Sequence, residues 1–317
     1  MILPEGYHAR PATVEDAPGA ARVIAACESA SGQDAIMTAD VVRHFWQTVD
    51  LASQTIVITK PAGEIAATAD IDNQGYVSVS VFGHVHPACR GQGLGSFLVD
   101  WGERWVRAHI EQAPPDARVV VQHLIPSTDD AARALLGDLG YEPARTTYFM
   151  RIELDAEPPE PAWPKGIGPS PYRPDVDEPE IHAAVEDAFR DVWGRPASSF
   201  ERFLANRPSR RAQADLWLVA RSGGEIAGVS IGKLLDKTGV IDNVGVRRRW
   251  RGQGLGLALM HASFWAFYRR GITDVRLNVD AESLTGATRL YERAGMHVAS
   301  KHALYEKVLR DGAGSSR

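Results

Sequence analysis

Cysteine is scarce, no long apolar run occurs, and neither sign of charge dominates. Two cysteines among 317 residues, Cys27 and Cys89, lie in one half with no counterparts in the other. They suggest neither a disulfide framework nor a zinc site, and no metal is expected. No uninterrupted apolar stretch approaches the roughly 18 residues that span a bilayer, and Glu5, His8 and Arg10 interrupt what a secretory leader would need. The expectation is a cytoplasmic chain with no membrane partner. A net charge of −5 argues against nucleic acid as a partner, because neutralising phosphates needs a basic surface. With 44% hydrophobic and 24% charged residues the chain is an ordinary globular one, long enough for two domains of about 150 residues each.

What the chain does hold is a repeat. The hexapeptide Arg-Gly-Gln-Gly-Leu-Gly stands at Arg90–Gly95 and again at Arg251–Gly256. Gly63-Glu64-Ile65-Ala66 recurs as Gly224-Glu225-Ile226-Ala227, so both landmarks are displaced by the same 161 positions. Preserved spacing over a third of a domain marks a tandem duplication. Between Asp155 and Pro171 stand Pro158, Pro159, Pro161, Pro164, Pro169 and Pro171. Prolines remove amide donors and hold the preceding residues extended, so this stretch reads as a semi-rigid linker, whose Trp163 is expected to pack back onto a domain. The expected plan is a first domain over 1–154, a linker over 155–171, a second domain over 172–310 and a disordered tail over 311–317.

Each half shows the same order of signals. Helical spacing over Asp16–Ser29 and Glu178–Trp193 is followed by strand pairs, Thr55–Thr59 with Ile65–Asp70 and Leu216–Ala220 with Ile226–Gly232. A third extended run precedes each hexapeptide, over Tyr76–Val85 and Val240–Val246, and an amphipathic helix follows it. Then come a strand (Arg118–His123; Asp274–Val279), a short helix ending at Gly140 or Gly295, and a last strand near Thr146–Ile152 or His302–Val308. This is an α/β (α+β) plan, a mixed and mostly antiparallel central sheet flanked by helices in each half.

Glycines that open a helix expose backbone amides at its positive end, a ready diphosphate site. A dinucleotide fingerprint would need its third glycine at Ser96 and Leu257, and a nucleotide P-loop would need Gly-Lys-Ser/Thr; both copies lack both. The remaining pattern, Arg/Gln-x-x-Gly-x-Gly/Ala between a strand and a long helix, resembles the acetyl-CoA loop of the GNAT acetyltransferases. In the second half Val244-Gly245-Val246 resembles the family's fourth strand, and Ala287 to Met296 its A-x-x-L-Y-x-x-x-G-F signature. The tandem layout is similar to two-domain GNAT proteins of the mycothiol synthase type. That implies an N-acetyltransferase using acetyl-CoA, with a primary amine of a small molecule or peptide as acceptor, a monomer or homodimer, and chemistry in the C-terminal half. A non-catalytic acyl-CoA sensor is the alternative. The resemblance implies CoA contacts from Val244, Gly245, Val246, Arg251, Gly252, Gln253, Gly254, Leu255, Gly256, Leu257 and Ser283, and in the first half from Val85, Arg90, Gln92, Gly93, Leu94, Gly95 and Ser96.

Amide formation from a thioester needs a neutral amine, a stabilised oxyanion and a protonated leaving thiol. By resemblance Tyr291 stands beside the CoA sulfur as the acid, and a backbone N–H of Val244–Val246 meets the oxyanion. The family's basic glutamate falls on Val240 here. Asp242, two residues on, is the candidate base, with pairing to Arg247 as its structural alternative; His302 and Tyr305 are further candidates for the base. Arg247, Arg248, Arg249 and Arg251 suit the CoA phosphates. The acceptor side is expected over Ala188–Asn206, with Asp191, Trp193, Arg195 and Phe200. In the first half Leu136 replaces the tyrosine and Val81 falls opposite Asp242, so that half is expected to be a CoA-binding or structural partner without catalysing, with His84 and His86 near its loop as substitutes for the missing groups.

Overall fold

The computed structural model describes residues 2–194, 197–207, 209–283 and 286–313. Its contacts divide the chain into unit 1, Met1–Thr146 with Lys301–Arg317, and unit 2, Thr147–Ser300. In chain order the elements are β1 (His8–Arg10), α1 (Ala17–Ala30), α2 (Ala39–Trp46), α3 (Leu51–Gln54), β2 (Thr55–Thr59), β3 (Ile65–Gln74), β4 (Ser78–Val85), α4 (Leu94–His109), β5 (Val119–Pro126), α5 (Asp130–Asp138) and β6 (Glu142–Glu153). They continue with β7 (Gly168–Ser170), α6 (Glu178–Phe189), α7 (Phe200–Ala205), β8 (Trp217–Ser222), β9 (Glu225–Leu235), β10 (Thr238–Val246), α8 (Leu255–Tyr268), β11 (Asp274–Asp280), α9 (Ala287–Arg293) and β12 (His297–Arg310).

Unit 1 orders its strands β1-β2-β3-β4-β5, all antiparallel except the β4–β5 pair, and residues His302–Arg310 of β12 run antiparallel to β5. Unit 2 orders β7-β8-β9-β10-β11 in the same way, with β10–β11 parallel, and Thr147–Glu153 of β6 run antiparallel to β11. The last strand of each sequence half is therefore built into the other half's sheet. The units accordingly part at Thr146/Thr147 and Ser300/Lys301, not in the proline-rich stretch. The hydrophobic pattern of a strand names the face it buries and leaves open whose edge it joins. Ile167 and Trp163 of the proline-rich stretch pack on Ala220, Ala227, Leu255 and Leu259, and Pro169 sits in the edge strand β7, where a missing N–H is tolerated. Of the expected tail, Ala313 donates its N–H to Asp116 O at 3.0 Å, so 311–313 continue along unit 1; 314–317 lie outside the described residues.

Each sheet has a back and a front. In unit 1 α4 covers the back, where Val81 fills the space a Cβ on Gly102 would need, and α1 covers the front. In unit 2 α8 covers the back: Ile241 packs with Met260, Phe264 and Phe267, and the Ser230 and Ser263 hydroxyls meet at 2.7 Å. α6 covers the front, where Val229 and Ile231 pack on Ile181 and Val185.

Candidate active site

In unit 2 the parallel partners β10 and β11 are paired only at Gly239↔Val275 and Val240↔Arg276. Beyond that vertex they part. Arg247 donates its N–H to Ala227 O on the β9 side at 3.0 Å. Successive residues of a strand turn their main-chain groups to opposite edges, so Val246 and Val244 face the edge that β11 has left. An extended amide-bearing chain can add there as a further strand. Gly245 pairs with Val229 and presses its Cα on the front against Ala188 and Phe189, where a Cβ would stand 2.9 Å from that of Ala188.

The glycine loop follows at the open end of this cleft. Gly252 (φ 75°) and Gly254 (φ 89°) are left-handed, and a Cβ on either would meet nothing within 4 Å, so the loop's outer surface is bare backbone. Gly254 caps α8, whose first amides have no helical partner. Bare amides, a helix N-terminus and a free strand edge fit the diphosphate and the amide-bearing arm of acetyl-CoA. Not every loop residue serves that purpose. Leu255 is buried in the core, and Gly256 is small because Leu290 of α9 lies 3.0 Å from where its Cβ would be. Ser283 donates its N–H to Asp280 O at 3.1 Å at the exit of β11.

The basic run is committed to the protein's own acids. Arg247 holds Glu225 at 2.9 Å, Arg248 pairs with Asp191, and Arg249 pairs with Glu225 while stacking on Trp250. Arg251 donates to Val246 O at 3.2 Å and Ala188 O at 2.9 Å, pinning the loop to β10 and α6. Of the expected acceptor segment, Asp191 therefore holds Arg248, Phe200 opens α7 beside the His182 ring, Trp193 is partly exposed, and Arg195 lies outside the described residues.

Tyr291 is buried on α9 among Met260, Leu277 and Met296, and burial alone pushes its phenol up to about 12. Asp242 sits at a β-bulge: Ile241 pairs with Gly232 and Asn243 with Ile231, leaving Asp242 as an extra residue. Its carboxylate binds Lys233 at 3.0 Å, not Arg247. The bulge also corrects the matching of the halves. Gly232↔Ile241 in unit 2 corresponds to Ile71↔Val81 in unit 1, so Val81 is the counterpart of Ile241, and Asp242 has none. The constant displacement survives because the β9–β10 hairpin turns through two residues, Asp236 and Lys237, where β3–β4 uses three, Gly75 to Val77. His302 and Tyr305 pair with Pro126 and His123 of β5 and belong to unit 1.

The unit 1 loop keeps the same frame. Gly93 caps α4 at φ 83°, Leu94 is buried, Ser96 is half-buried, and a Cβ on Gly95 would lie 3.0 Å from Leu135 as on Gly256 from Leu290. Several of its groups are engaged, as in unit 2, but by other partners. The Cys27 thiol donates to Val85 O at 3.2 Å, Arg90 pairs with Asp129 at 3.2 Å, and Gln92 accepts from the Tyr7 hydroxyl at 2.7 Å. His86 accepts from the Ala88 N–H at 3.2 Å. Leu136 is buried in the core. Burial holds His84 near 4, hence neutral, and raises Asp70 on the neighbouring strand to about 7, with Asp72 adding to the rise. Asp70 was not legible in the sequence: alternation around Ile71 reads as an exposed polar face, whereas α1 and α3 both pack on β3.

The comparisons give the class of the fold. The model of the acetyltransferase (GNAT) family matches residues 179–296. A mycothiol acetyltransferase of Salinispora arenicola is 35% identical over 231 residues, covering 70% of this chain and 71% of that protein. A GCN5-related N-acetyltransferase of Sphaerobacter thermophilus, known as a crystal structure, is 44% identical with a TM-score of 0.88 over 98% of both chains. A tandem GNAT protein from the clavulanic acid biosynthesis pathway shares the fold at 14% identity, with a TM-score of 0.68 over 97% of this chain and 100% of that one. The chain belongs to the GNAT acetyltransferase family and is a tandem-GNAT N-acetyltransferase. Among the described residues no helix is long and apolar enough to cross a membrane, and no cluster of His, Cys, Asp and Glu could hold a metal ion.

Proposed function

We propose that unit 2 transfers the acetyl group of acetyl-CoA to the primary amine of a small molecule or peptide by direct attack. The observation that supports this most is the cleft where β10 and β11 cease to pair, with the N–H groups of Val244 and Val246 on the edge β11 has left and bare glycine amides at its mouth. Acetyl-CoA supplies the thioester. The loop Gly252–Gly254 with the α8 N-terminus holds its phosphates, and β10 aligns its arm. The N–H groups of Val244 and Val246 are fixed before reaction, which is what makes an oxyanion donor effective.

Tyr291, held near 12, stays protonated at any working pH. A thiol titrates near 8.5, so full proton transfer to the departing sulfur runs uphill by about 3.5 pKa units, on the order of 5 kcal/mol. Its role is therefore a hydrogen bond to the sulfur. Asp242 is the candidate base, its carboxylate held beside Lys233. The test is thiol release from acetyl-CoA over a broad amine panel. Tight CoA binding with no release toward any amine would favour an acyl-CoA sensor.

A further inference from the structure

The floor of the cleft carries charge on its front face. At the vertex Val240 pairs with Lys233 on one side and Arg276 on the other, and Arg276 pairs in turn with Arg151 on β6. Their flanking residues Gly239, Ile241, Val275, Leu277, Met150 and Ile152 all face the back core, so this row faces front. Lys233, Arg276 and Arg151 are each about a fifth to a quarter exposed. Facing carboxylates are Asp242 on Lys233, Asp274 on Arg276 (2.8 Å) and Arg151 (2.8 Å), and Glu153 on Arg151 (3.0 Å). One step above, Arg207 at the end of α7 donates to Asn243 Oδ1 at 2.7 Å and stacks at 4.1 Å on the Phe203 ring, a fixed fourth cation.

The same row in unit 1 is Asp72, Ser80, Gln122 and Glu306, bound by the matching register. Gln122 accepts from Ser78 and donates to Glu306, and Arg118 caps Glu306 at 2.5 Å. A duplicated position that is acidic and neutral in one copy and cationic in the other is not explained by folding, since both rows sit on the same kind of sheet.

We propose that the amine acceptor of unit 2 also carries an oxyanion, a carboxylate or a phosphate, which Arg276 and Arg207 seat while its amine meets Asp242. This rests on unit 2 being the transferring unit. Adjacent strands lie about 4.8 Å apart and two residues of a strand span about 6.6 Å, so amine and oxyanion are separated by a few bonds. Guanidinium groups suit this role because their planar fork binds an oxyanion through two hydrogen bonds.

The full chain is assayed by thiol release on two matched pairs, 4-aminobutanoate against 4-aminobutanamide and O-phosphoethanolamine against ethanolamine. The anionic member should be preferred about tenfold or more in kcat/KM in at least one pair, and which pair responds identifies carboxylate or phosphate. Arg276→Gln should erase the preference mainly through KM while the rate with the neutral member persists, and Arg276→Lys should restore part of it. Arg207→Gln serves as a second variant, because Arg276 also holds Asp274, and melting temperatures confirm that both fold. Equal or better use of the neutral member in both pairs overturns the proposal, as does a preference that survives both substitutions. Release with other amines and none of these four also overturns it, whereas no release with any amine overturns the transfer reading beneath it.

Discussion

The two units share a back and differ in front. Behind each sheet a left-handed glycine caps the long helix, Gly93 or Gly254, and the second residue of that helix touches a leucine of the next one, Leu135 or Leu290. In front, β4 is regular along its whole pairing with β3, whereas β10 carries the bulge at Asp242. A regular strand shows Val81 to the core and Ser80 to the front. The bulge adds a residue that belongs to neither set, and it is there that unit 2 exposes a carboxylate to the cleft. Duplication thus kept the glycine caps and the leucine contact behind each loop, while the regularity of the strand in front of it changed.

The largest effect that would break this comparison lies in the loops. Gly254→Val should lower turnover by at least about 10²-fold, because a β-branched residue is strained at φ 89° and its side chain intrudes on the amide surface. Gly93→Val should leave most turnover. Calorimetric CoA titration beside steady-state rates measures both, and a dead Gly93 variant with a working Gly254 variant would move the chemistry to unit 1.

Tyr291→Phe comes next. It keeps the ring's packing and should lower kcat by about 10- to 10²-fold, the worth of a hydrogen bond to a charged sulfur, with CoA affinity retained. Because the phenol is held near 12, the wild-type rate should show no fall assignable to its ionisation up to about pH 10. Nearly full kcat in the Phe variant would remove Tyr291 from the reaction. For Asp242→Asn the loss should be greatest at low pH, where neutral amine is scarce, and should shrink as pH rises. A profile parallel to wild type would leave the carboxylate as Lys233's partner and nothing more.

The smallest effect concerns stability in unit 1. Asp70 has a folded pKa near 7, above its ordinary value of 3.8. Its protonated form therefore favours the fold below about pH 4, and that contribution is lost as pH rises through 7. Asp70→Asn should raise the melting temperature at pH 8 by a few degrees and change it little at pH 4.5. An equal shift at both values would mean that the carboxyl is not the cause.

The repeat, the strand–loop–helix frame and the glycine loops were legible in the sequence because each rests on local chemistry: alternation, helical spacing, and glycine where φ is positive. The tyrosine on α9 was legible by its signature. Matching the halves was less secure. A constant displacement concealed a hairpin one residue shorter and a strand one residue longer, since compensating changes leave the sum untouched. Asp242's partner depends on the register of the β9–β10 hairpin, while the commitment of Arg247 to Arg249 to Glu225 and Asp191, the hold of Arg251 on Ala188 O, and the placement of His302 and Tyr305 in unit 1 depend on residues farther away in the chain.

The sequence by itself determined two copies of a glycine-capped helix behind a sheet, and the loss of the tyrosine from one copy, because spacing and residue type are local properties. Only the tertiary structure decided which sheet each last strand joins, that Asp242 stands at a bulge, and that Lys233, Arg276 and Arg151 form one row at the cleft's floor. Those facts are set by register between strands as far apart in sequence as Arg310 and Val119, and register is fixed by the edges and faces that packing leaves available.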